Sequence, residues 1–163
     1  MIGQKADVIK WLLDQPDGMY EATTYRQRRT LTQNAYFHAL VHEIARRVRL
    51  SDIETKNRLI SEYGVIDEDV RTIIADDAIN WEKSPYLHLR PTTATRIMDN
   101  GRLYRVFYVM AGTHTLNTAD MAHLLDGTIE EAEQLGIATL PTAIIQDMRA
   151  REYRRDKVNR SIG

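Results

Sequence analysis

The sequence predicts an α+β fold: amphipathic helices packed on a small, mostly antiparallel sheet with a central hairpin. Three observations carry this prediction. Phe37, Leu40, Val41, Ile44 and Val48 recur at spacings of three and four, the period of a helix with one apolar face. Leu103 to Met110 (LYRVFYVM) is almost wholly apolar or aromatic, as befits a central strand covered on both faces or a hairpin arm. Between them and the preceding Ile97-Met98, Asp99-Asn100-Gly101 carries the signal of a primed hairpin turn.

Taken in order, a first helix is expected from about Gln4 to Leu13, burying Val8, Trp11 and Leu12. Pro16-Asp17-Gly18 marks a turn, since proline presets one dihedral and glycine permits positive values. Met19 to Gln27, with Tyr20, Thr23, Thr24 and Tyr25, favours a strand. The long helix then runs from about Thr32 to Val48, with Thr30 or Thr32 as its N-cap. Ser51-Asp52-Ile53-Glu54 has the form of a capping box, opening a helix that carries Ile53, Leu59, Ile60 and Tyr63. Gly64 is expected to end it as a left-handed C-terminal residue.

Val70 to Ala75 is a short β-branched run that fits strand or helix and reads better as strand; Tyr86–Arg90 and Arg96–Met98 read as two more strands, broken by Pro91. Asn117 or Thr118 caps the next helix, which should bury Met121, Leu124, Leu125, Ile129, Ala132 and Leu135 and end at Gly136. Pro141 suits the first position of a last helix carrying Ala143, Ile144 and Met148 before an arginine-rich end. With 163 residues, a single domain over 1–148 followed by a basic helix end or tail over 149–163 is expected.

Hydrophobic residues at 43% and charged residues at 28% are ordinary for a soluble globular protein. The chain has no cysteine, which removes disulfides and thiol chemistry and suits the cytoplasm. The N-terminus lacks the apolar run of a signal peptide, and no stretch approaches the roughly 20 residues a membrane span needs. The net charge of −1 conceals segregation. Six arginines stand against Glu43 alone between Arg26 and Arg49, acids dominate from Asp52 to Asp77, and the tail from Arg149 is basic again. Segregated charge can raise a local positive field for a polyanion, or hold segments or subunits together.

His38 and His42 lie one helical turn apart, the spacing of two metal ligands without a readable third; His88, His114 and His123 are scattered. Asp67-Glu68-Asp69 and Asp76-Asp77 could hold magnesium, but acid runs of this kind are more often solvated loops. With no glycine-rich phosphate loop, nucleophile elbow or dinucleotide fingerprint, the chain reads as non-enzymatic and without a cofactor. Tyr20, Tyr25, Tyr36, Trp81, Tyr86, Tyr104, Phe107, Tyr108 and Tyr153 are candidate base-stacking side chains, most of them expected in the core.

Arg29-Thr30-Leu31-Thr32-Gln33-Asn34 follows the pattern R-[ST]-L-x-Q-N opening a long helix, and in this it resembles the phage NinB/Orf family of recombination proteins. The second half, through Gly112-Thr113-His114-Thr115-Leu116-Asn117-Thr118 and the segment Glu131 to Pro141, is similar to a group of small prophage-encoded proteins. The resemblance implies a homodimeric accessory protein of recombination in the cytoplasm of a bacterial host, binding single-stranded DNA beside single-strand-binding protein. On that reading Arg26, Arg28, Arg29, Gln33 and Asn34 grip phosphate at the helix opening, where exposed amides already favour an anion. Arg149, Arg151, Arg154 and Arg155 extend the grip electrostatically. The bland alternative is a capped core helix preceded by solvated arginines. Two other classes stay open: a small metal-dependent phage nuclease using His38/His42 or the acidic loops, and a protein-interaction factor inhibiting host DNA processing through its acidic middle.

Overall fold

In a computed structural model, which describes residues 5–20 and 32–162, the described residues form five α-helices, a short 3-10 turn at Trp81–Lys83 and one three-stranded antiparallel sheet. Two units are described separately, one within residues 1–30 and one within residues 31–163.

The first unit contains α1 (Lys5–Leu13) and the turn after it, in which the Tyr20 hydroxyl donates to the Pro16 carbonyl at 2.5 Å. The expected burial of Trp11 and Leu12 does not occur; both are exposed, as are Ile9 and Leu13. Four of the five residues 9–13 are apolar and wrap beyond one helical face, so a single packing surface cannot cover them. Met19 and Tyr20 belong to no strand. The rest of the expected strand, to Gln27, lies outside the described residues, as do Arg26, Arg28, Arg29 and Thr30.

The second unit is built on α2 (Gln33–Val48), α3 (Asp52–Tyr63), α4 (Thr118–Gln134) and α5 (Thr142–Ile162). Tyr36, Phe37, Leu40, Val41 and Ile44 of α2 meet Leu59 and Ile60 of α3, Met121, Leu124, Leu125 and Ala132 of α4, and Ile145 and Met148 of α5 in one core. The α5 stripe is therefore Ile145 and Met148, while Ile144 faces outward. Pro141 stands just ahead of α5, its carbonyl accepting the amides of Ile144 and Ile145.

Local capping follows the sequence. The Thr32 hydroxyl accepts from the Ala35 amide, Ser51 and Glu54 form the reciprocal capping box, and the Asn117 side chain accepts from Ala119 and Asp120. Gly136, with φ +72°, ends α4 in the left-handed region. Gly64 differs from expectation, having an extended φ of −77°. Glycine is needed there for room, because a Cβ would sit 2.5 Å from the Ile60 carbonyl oxygen.

The strands are β1 (Thr72–Asp76), β2 (Leu89–Ile97) and β3 (Leu103–Val109), in the order β1-β3-β2. Thr72 faces Tyr108 and Asp76 faces Tyr104 across β1–β3; Leu89 faces Val109 and Ile97 faces Leu103 across β2–β3. Pro91 does not split β2 in two. It lies within an edge strand, and the register slips between Pro91 and Thr95, where a missing amide hydrogen costs least. The hairpin turn is not a primed two-residue turn, because Asn100 keeps a negative φ. Gly101 alone, at φ +74°, is left-handed, and its amide donates to Met98, giving a three-residue loop. β3 is central, yet among the described residues only one of its faces is closed. Phe107 packs there with Ala75 and Leu89 under Trp81, whose ring meets Phe107 edge-on at 6.4 Å.

Candidate nucleic-acid interface

The opening of α2 is occupied from within the protein. Glu152 of α5 accepts the Gln33 backbone amide on Oε1 at 3.0 Å and the Gln33 side-chain amide on Oε2 at 2.7 Å. Gln33 is fully buried, and its Nε2 also reaches the Thr118 carbonyl at 3.4 Å. Gln33 is thus an internal residue, contrary to its expected role on phosphate. A carboxylate already holds the amide that would have met an anion. Asn34 is exposed beside it.

The four C-terminal arginines named from sequence separate into two pairs. Arg149 donates to Asp126 at 2.5 Å with its side chain largely covered, and Arg151 pairs with Asp147 one turn earlier on α5. Arg154 and Arg155 are exposed and form no ion pair among the described residues. Tyr153 between these pairs is 65% exposed. The C-terminal end of α2 adds Arg46, Arg47 and Arg49, all exposed; among the described residues Arg46 alone of the three has an ion-pair partner, Glu43, at 3.8 Å.

The acidic middle is largely spent on internal bonds. Asp76 pairs with Arg102 at 3.0 Å and Asp77 with Arg105 at 2.5 Å, and this pairing holds the Asp77 carboxyl below its ordinary range. Asp67 caps its own turn by accepting the amides of Asp69 and Val70. His42 bonds Asp52 at 3.1 Å. Among the described residues, no group of three or more His, Cys, Asp or Glu side chains is placed to hold a metal ion.

Sequence spacing gave no sign of a second polar constellation. Asn57 of α3 donates both amide hydrogens to backbone, at 2.6 Å to Glu82 and 2.8 Å to Ser84, so its Oδ1 must act as acceptor. His88 Nδ1 lies 2.5 Å from that oxygen and is therefore the protonated nitrogen, leaving Nε2 with a lone pair. Burial, then the charges of Lys56 and His114, lower the His88 pKa to about 4. His38 is lowered too, by burial and by Lys56. Gly112 makes room for this group: a Cβ there would sit 3.0 Å from His114 Nδ1 and 3.8 Å from His88 Nε2.

No protein-family model matches the chain, and no curated protein or solved structure is found similar to it. Among the described residues no helix is long and apolar enough to cross a membrane.

Proposed function

We propose that this chain is an accessory DNA-binding protein of phage recombination. It binds single-stranded DNA as a homodimer in the bacterial cytoplasm and acts beside single-strand-binding protein. The observation that carries the reading is on α5. Its inner stripe, Ile145, Met148 and Glu152, is fixed to the core and to Gln33, which leaves Tyr153, Arg154 and Arg155 turned outward without internal partners among the described residues. Guanidinium groups in that state bind phosphate oxygens and release counterions, and an exposed tyrosine among them offers a face to a base. Arg26, Arg28 and Arg29 precede in sequence the α2 opening to which Glu152 is joined, and Asn34 follows it; they supply further bonds to phosphate in this reading.

A titration of labelled single strands at two salt concentrations, with and without magnesium, tests the proposal. The expected result is binding that weakens steeply with salt, without cleavage. Binding insensitive to salt overturns it, and so does an absence of binding.

A second reading is favoured by His88. Its unprotonated Nε2, oriented by Asn57 and beside His114, has the form of a general base in a small phage nuclease. Cleavage in that titration, lost in His88→Ala, selects this reading.

A further inference from the structure

Among the described residues the sheet has one closed face and one open face. We propose that the open face is the base-stacking surface on which single-stranded DNA lies; this rests on the single-strand-binding reading above and assigns it a second, separate surface. Alternation along β3 places Phe107 beneath Trp81 and turns Tyr104, Val106 and Tyr108 to the other side. Register adds Ile74, opposite Val106, from β1. These side chains form an apolar and aromatic stripe in which Ile74 is 61% exposed and Tyr108 38% exposed. Tyr104 and Tyr108 stand four residues apart, about 13 Å along the strand, enough for a few nucleotides.

Charge identifies the occupant. Arg96 faces Tyr104 and Arg90 faces Tyr108 across β2–β3, so both belong to this face, and Arg102 and Asp76 flank its far end. Arg90 is committed to the Ser61 and Gly64 carbonyls. Arg102 neutralises Asp76 while its own side chain stays 70% exposed. Arg96 is exposed and makes no ion pair among the described residues. Three arginines against one neutralised carboxylate give the apolar stripe a positive rim. A second copy docked here by two-fold symmetry would set arginines against arginines, which is unfavourable. A single-stranded nucleic acid supplies both complements, flat bases for the tyrosines and phosphates for the rim. The Tyr104 hydroxyl accepts from Asn100 Nδ2 at 3.2 Å, which holds one ring in place before any ligand arrives.

The test uses the full chain with a labelled oligothymidine, the same backbone lacking bases, and four variants: Tyr104→Phe, Tyr108→Phe, and the doubles Tyr104→Ala/Tyr108→Ala and Ile74→Ser/Arg96→Glu. The wild-type protein should bind the base-free backbone at least tenfold more weakly than oligothymidine. Tyr108→Phe should bind normally, because the stacking face is kept, and Tyr104→Phe should lose at most a few-fold, with the Asn100 bond that holds its ring. The alanine double should lose about 10- to 100-fold, since one base–aromatic stack contributes roughly five- to a hundredfold by alanine substitution. Should the alanine double fail to fold, Ile74→Ser/Arg96→Glu, altered only at exposed side chains, must show the loss. Normal DNA binding by the folded alanine double or by folded Ile74→Ser/Arg96→Glu overturns the assignment of this face while leaving single-strand binding intact. Loss of self-association with DNA binding unchanged overturns it in favour of a second copy. A wild-type protein that binds no single strand removes both proposals.

Discussion

Glu152 takes the place at the opening of α2 that an external anion would need. Its two oxygens reach the main-chain and side-chain amides of Gln33, 119 positions away, at 3.0 and 2.7 Å. Replacing Glu152 with alanine leaves a buried amide without its acceptor and a helix N-terminus without its charge. The expected cost is about 1–3 kcal/mol, read from urea unfolding. Unchanged stability would mean that the α2–α5 junction is held by apolar packing alone.

Gly127 in the middle of α4 inverts an ordinary rule. Glycine to alanine in a helix normally stabilises by up to about 1 kcal/mol. Here a Cβ would collide with the ring of Tyr63 on α3. Gly127→Ala should therefore lower stability, by about 1–3 kcal/mol, as overpacking does. A raised melting temperature would show that Tyr63 can move aside at little cost.

His88 sets a pH dependence whose sign follows from its lowered pKa. With about 4 in the folded chain and about 6.5 unfolded, the unfolded state binds the proton better. The stability contributed by neutral His88 is complete above about pH 6.5 and is lost as pH falls toward about 4. His38 contributes in the same direction. The full linkage would be about 3 kcal/mol, and partial access to solvent reduces it to about 1–2 kcal/mol. Urea midpoints at pH 7.5 and pH 5 should diverge more in the wild-type protein than in His88→Asn. Equal divergence would mean that His88 titrates normally.

Arginines on one helix should respond differently to replacement. Arg154→Ala/Arg155→Ala should leave the melting temperature unchanged and weaken single-strand binding. The logarithmic salt slope should become shallower by about 0.7 for each phosphate no longer neutralised. Arg149→Ala should do the reverse, costing stability through the loss of Asp126 and the packing of a largely covered side chain, with a smaller effect on binding. Identical profiles for the two variants would count against a division of α5 into structural and binding arginines.

The sequence by itself determined the elements whose signals are short-range. Asn117, Ser51 with Glu54, and Gly136 each act on a partner within about one helical turn, so their roles can be read from neighbours alone. The stripe Phe37–Leu40–Val41–Ile44 and the sheet strand at Leu103–Val109 follow from periodicity and apolar content. Tertiary structure decided everything that depends on distant partners. Gln33 looks like a phosphate ligand until Glu152 arrives, and Asp76 and Asp77 look like an exposed acidic run until Arg102 and Arg105 neutralise them. Pro91 looks like a break until the strand order puts it on an edge. His88 has no readable spacing from Asn57 or His114, because the three meet only where α3 and the loops at the ends of β2 and β3 converge. Burial and pairing are set by groups many residues apart in the chain, and a helical or strand period fixes only which way a side chain turns, not what it meets.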